Sequence, residues 1–176
     1  MNLTKIKIGE KAPEEFNVVI EIPIGSAIKY EIDPKTGVLE VDRLIGSASA
    51  YPYNYGYIPE TLSPDGDALD AMVLSPLAIE SKTVVACRPI GLLEMEDEHG
   101  KDTKILCVAI NESDSHYFSI HDLPDLNLPI REKIKLFFAQ YKEIEKAQWS
   151  KVQNFGDKKQ AMAAIIKARQ AAERKD

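Results

Sequence analysis

The chain has 176 residues, 44% of them hydrophobic and 28% charged, which is the make-up of an ordinary folded domain. That length buries a core without disulfides or structural metal. With 22 lysines and arginines against 28 aspartates and glutamates, the formal charge is −6. The excess argues against a general polyanion binder, which needs a basic face, but leaves room for a phosphate ligand where bound divalent cations reverse the local sign. No segment approaches the ~20 apolar residues that span a bilayer. The first residues lack the apolar stretch of a signal peptide. Cys87 and Cys107 sit inside apolar runs and read as buried thiols of a reducing cytoplasm. Two cysteines without neighbouring histidines make no zinc site.

The first two thirds of the chain read as strands. Val18-Val19-Ile20-Glu21-Ile22 is rich in β-branched residues and ends at Pro23. Ile28-Lys29-Tyr30-Glu31-Ile32 alternates apolar and charged residues. A turn at 33–37 and a return over 38–44 complete a hairpin. Residues 68–74, 83–95 and 103–110 are further strands, with a tight loop joining the last two. After Leu128 the period changes: Ile130, Ile134, Phe137, Tyr141 and Ile144 recur at helical spacing. Asp157 caps a second helix running to about Glu173. Strands followed by helices predict one α+β domain, a small barrel or curled sheet flanked by helices, with no linker dividing it.

The densest chemical signal is Asp65-Gly66-Asp67-Ala68-Leu69-Asp70, with three carboxylates in six residues at the entrance to an apolar strand. A solvated turn explains an isolated Asp-Gly-Asp. An EF-hand does not fit, because the glycine is misplaced and Pro76 stands where a bidentate glutamate is needed. Asp70 favours function, since it interrupts an apolar run where charge is costly unless paired or bound to metal. Asp97 and Asp102 flank a hairpin loop that brings them roughly opposite each other, a repulsion that a cation would relieve. Lys104 shares a strand face with Asp102. Glu21, Lys29, Glu31 and Arg43 punctuate apolar strands, as either a solvent face or a site would. Tyr51, Tyr53, Tyr55 and Tyr57 alternate and would project to one side of an extended chain, as core rings, a base-stacking platform or phosphate donors. His99, His116 and His121 fall in or near loops and read as surface residues.

These strings, with Val19-Ile20-Glu21-Ile22-Pro23, Val41-Asp42-Arg43, Cys87-Arg88-Pro89-Ile90-Gly91 and Tyr141-Lys142, closely resemble the family I inorganic pyrophosphatases of the bacterial type. The resemblance spans about residues 14 to 150. It implies one pyrophosphatase domain over 1–176, an OB-like five-stranded β-barrel with flanking and C-terminal helices, and magnesium-dependent hydrolysis of pyrophosphate to two orthophosphates. By the same resemblance, Asp65, Asp70, Asp102, Asp97 and Glu21 correspond to metal ligands and Asp67 to the acceptor of the attacking water's proton. Lys29, Arg43, Tyr55, Lys104, Tyr141 and Lys142 correspond to phosphate-holding groups, and Glu31 to a supporting acid behind them. A cytoplasmic homohexamer is implied, with several Mg2+ per site and neither nucleic acid nor membrane as partner. Departures from the family pattern lie outside the site: a Pro23–Ala27 loop one residue short, Lys101 before Asp102, and a weakly matched last helix. The competing readings are a magnesium-dependent hydrolase of another phosphoanhydride, such as a nucleotide, and an OB-type nucleic-acid-binding module using the tyrosines.

Overall fold

A computed structural model of the chain describes residues 5–45, 50–97, 100–110, 116–141 and 149–175. Strand β1 (Phe16–Ile22) pairs antiparallel with β4 (Asn54–Ile58), and β4 pairs antiparallel with β5 (Leu69–Val73). β5 runs parallel to β7 (Gly100–Ala109), which pairs antiparallel with the long β6 (Val84–Asp97). The first residues of β6 return to β1, with Phe16 opposite Cys87 and Val19 opposite Val84. Five strands therefore close into a ring, the OB-like barrel that the family resemblance implies. The far half of β6 also pairs with β8 (Ser150–Gly156), and β2 (Ile28–Ile32) and β3 (Leu39–Leu44) form a separate hairpin.

The barrel strands are largely apolar on both faces because both faces are covered. Along β7, Leu106 and Val108 pack into one cluster with Tyr55, Met72 and Leu93, under the helix α1 (Leu128–Gln140) through Ile134, Phe137 and Phe138. Ile105 and Cys107 face the other cluster with Val18, Ile20 and Ala71, under α2 (Lys158–Glu173) through Ala161, Ile165 and Ala168. This is the period-two alternation of a two-sided sheet. Asn127 caps α1 by accepting from the Ile130 amide, and Asp157 caps α2 in a capping box with Gln160. Both cysteines are free and buried. Among the described residues, no helix is long and apolar enough to cross a membrane.

Three differences from the sequence expectation matter. β8 was not anticipated, because Ser-Lys-Val-Gln-Asn-Phe-Gly is mostly polar and acquires its strand state only from pairing with β6. The tyrosines divide: Tyr53 lies ahead of β4 and packs edge-on against Tyr117, whereas Tyr51 and Tyr55 stack against Phe137 and Phe138. Where β6 meets β7, Asp97 pairs with Gly100 and Asp102 pairs with Met95. Asp97 and Asp102 are thus diagonal neighbours on one face rather than direct partners.

Candidate active site

Two pieces of backbone build the site. One is the end of the barrel where β1, β5 and β7 carry Glu21, Asp70, Asp102 and Lys104. The other is the β2–β3 hairpin carrying Lys29, Glu31 and Arg43. Glu21 joins them, its Oε1 accepting from the Ile32 amide at 2.8 Å. Glu21 points inward because β1 bulges there: Ile20 pairs with Gly56 and Ile22 with Tyr55, leaving the glutamate as the extra residue. β3 bulges too. Lys29 pairs with Arg43 and Tyr30 with Val41, so Asp42 is unmatched.

Between the two pieces lies a cavity of about 890 Å3. Of the thirteen residues assigned from the sequence, Glu21, Lys29, Glu31, Arg43, Tyr55, Asp65, Asp67, Asp70, Asp97, Asp102, Lys104 and Tyr141 all line it. Lys142 lies outside the described residues. His99 does too, while His116 and His121 are exposed and do not line the cavity. Among the described residues, eleven carboxylates and three cations surround the space. Asp33, Asp42, Glu40 and Glu60 are the acids that the sequence did not single out, and Tyr51 joins Tyr55 in the wall.

Each lysine is straddled by two acids. Lys104 Nζ contacts Asp70 Oδ2 and lies 2.6 Å from Asp102 Oδ1. Lys29 Nζ contacts Glu31 and lies 3.2 Å from Asp42 Oδ2, which also accepts from Arg43 Nε at 2.7 Å. Burial acts to lower the Lys104 pKa, but Asp70 and Asp102 outweigh it and hold the ammonium charged. Burial pushes the Glu21 carboxyl up to about 8; the Ile32 amide opposes this and Asp70 and Glu31 add to it. Asp67 and Asp102 are raised, each first by burial. Asp65 and then Glu31 push Asp67 further, whereas Lys104 opposes the rise at Asp102 and Asp70 supports it. Burial also keeps the Tyr55 and Tyr51 phenols well above their ordinary value, so both remain hydrogen-bond donors.

The donor set is hard oxygen throughout, the chemistry of magnesium or manganese rather than zinc or copper. Among the described residues, no three histidine, cysteine, aspartate or glutamate side chains converge on one point as a metal cage. Magnesium does not need such a cage, being held by one or two carboxylates with water and substrate phosphate completing its shell. The clustered acids that raise one another's pKa are short of positive charge, so the residues fit the group.

The chain resembles known proteins in both sequence and fold. The inorganic pyrophosphatase family profile matches residues 18–173. The chain is 49% identical over 168 residues to the inorganic pyrophosphatase of Campylobacter jejuni, covering 96% of this chain and 97% of that one. It is 46% identical over 164 residues to that of Saccharolobus solfataricus, covering 93% and 95%. It superimposes on the inorganic pyrophosphatase of Thermus thermophilus with a TM-score of 0.93 at 39% identity, covering 98% of this chain and 99% of that one. The Helicobacter pylori enzyme gives 0.92 at 41%, covering 96% and 99%. The chain belongs to the family I inorganic pyrophosphatases, of the bacterial type.

Proposed function

We propose that this chain hydrolyses inorganic pyrophosphate to two orthophosphates with magnesium, by direct attack of a water whose proton passes to Asp67. The observation that carries this reading is the convergence, on one cavity, of twelve side chains that the family resemblance singles out, in a chain of this family. Asp65, Asp70, Asp102, Asp97 and Glu21 would hold the cations. When bound, these supply neutralisation of the diphosphate charge and a lowered pKa for the attacking water.

The chain's own residues supply the rest. Lys29, Arg43 and Lys104 place positive charge where the leaving phosphate gains negative charge, and Lys142 joins them on the resemblance alone. Tyr55 and Tyr141 donate phenol hydrogens to phosphate oxygens. Glu31 holds Lys29. The raised pKa of Asp67 makes it a stronger base than an ordinary aspartate, which suits a proton acceptor. No covalent intermediate is invoked: Cys87 and Cys107 are buried away from the cavity. A single domain, a cytoplasmic location and assembly as a homohexamer complete the proposal; sedimentation of the purified protein tests the last.

The test is orthophosphate release from pyrophosphate with magnesium, with excess chelator, and with a nucleoside triphosphate in place of pyrophosphate. The expected result is rapid, chelator-sensitive release from pyrophosphate only. Release unaffected by chelator refutes the metal-dependent route, and faster turnover of the nucleotide refutes the substrate. Retarded single-stranded DNA in a chelator gel shift would favour the nucleic-acid reading.

A further inference from the structure

The bulge in β3 places a residue that neither the sequence assignment nor the metal chemistry uses. In a regular strand Asp42 and Arg43 point to opposite faces. Here Tyr30 pairs with Val41 and Lys29 with Arg43, so Asp42 is the extra residue, and Asp42 and Arg43 both line the cavity. Bulges beside active sites re-aim side chains in this way. Asp42 Oδ2 then accepts from Arg43 Nε at 2.7 Å and lies 3.2 Å from Lys29 Nζ.

From this geometry we infer that Asp42 is a positioning residue, whose single carboxylate oxygen fixes Lys29 and Arg43 as a two-pronged clamp for one phosphate of the substrate. The inference rests on the proposed hydrolysis and adds a residue to it. Long cationic side chains lose freedom when they bind a ligand, and a carboxylate that orders both beforehand removes that cost from substrate binding. The three side chains are 20–27% exposed, so the cluster is partly shielded from solvent but open to an anion. Asp42 lies on the hairpin, whereas Asp65, Asp70, Asp97 and Asp102 lie on the barrel side. Its removal therefore acts on the substrate-holding cations and leaves the proton acceptor and the proposed cation ligands in place.

The test measures KM and kcat for pyrophosphate in wild type, Asp42→Ala, Asp42→Asn and Asp42→Glu. Calorimetric binding of methylenediphosphonate with magnesium accompanies it. For Asp42→Ala, KM and the diphosphonate Kd rise about ten-fold, the equivalent of ~1.4 kcal/mol, while kcat stays within about two-fold. Asp42→Glu restores most of the loss, and Asp42→Asn, which keeps an acceptor without the charge, falls between. In a Lys29→Ala, Arg43→Ala background, Asp42→Ala has no further effect on diphosphonate binding, because nothing remains to position. An unchanged or lowered KM in Asp42→Ala, a fall in kcat alone, or a full effect in the doubly substituted background overturns the inference. Melting temperatures separate misfolding from mispositioning, and the Asn variant, nearly isosteric with Asp, decides the matter if the Ala variant unfolds. A wild-type protein that releases no phosphate sinks the functional reading, whereas diphosphonate binding still tests Asp42.

Discussion

Lys104 and Asp70 are register partners on the one parallel strand pair among the described strands, and their side chains meet inside the cavity. The Lys104 side chain is 6% exposed and also reaches Asp102. Removing one partner of a buried ion cluster leaves the others uncompensated, at a cost of about 3–5 kcal/mol. Lys104→Met should therefore destabilise the metal-free protein by roughly 3 kcal/mol in urea unfolding, and magnesium should recover part of the loss. Equal stability of variant and wild type without metal would show that solvent already screens the two acids.

Asp102 and Asp97 differ in their surroundings. Asp102 is diagonal to Asp97 and shares Lys104 with Asp70, so it sits where two acids already cluster. Asp102→Ala should weaken magnesium binding more than Asp97→Ala. Titration calorimetry of both variants measures this, and the reverse order would contradict the prediction.

Gly56 lies opposite Ile20, next to the bulge that aims Glu21. A Cβ at this position would stand 1.9 Å from the Val19 carbonyl oxygen. Backbone cannot yield as a flexible side chain can. Gly56→Ala should cost roughly 3 kcal/mol or more and should shift Glu21 even where the protein still folds. Urea unfolding gives the first effect, and a raised magnesium requirement for activity gives the second.

Glu60 anchors the segment ahead of β1, accepting from the Ile8 amide at 3.0 Å and from Lys7 Nζ at 2.6 Å. Lys7 is the main cause that holds its pKa below the ordinary value; slight burial opposes this and the Ile8 amide adds to it. A depressed folded-state pKa gives stability that is present above the unfolded value and lost as pH falls through the folded one. Melting temperatures of wild type and Glu60→Gln should therefore differ most above about pH 4.5 and converge in stronger acid. A gap that widens toward acid would contradict the assignment.

Much of this was legible because it is local. Asp65, Asp67 and Asp70 sit within six residues, and the caps at Asp157 and the alternation of β2 are short-range patterns. The long-range features were not. The polar sequence of β8 carries no strand signal without β6 beside it. Asp42 carried no assigned role because simple alternation turns it away from Arg43, and only cross-strand register reveals the bulge. Tyr53 broke from its stripe because β4 begins one residue after it. The separation of Asp97 from Asp102 depended on a cross-strand register that composition does not fix.

Among the described residues, the eleven carboxylates and three cations around the cavity carry a formal charge of −8, against −6 for the whole chain. The metal-free mouth thus concentrates negative charge. Its encounters should show opposite salt dependences: lowering ionic strength speeds capture of divalent cations and slows capture of bare anions. Order of arrival is thereby written into the charge distribution, with metal first or metal and phosphate together.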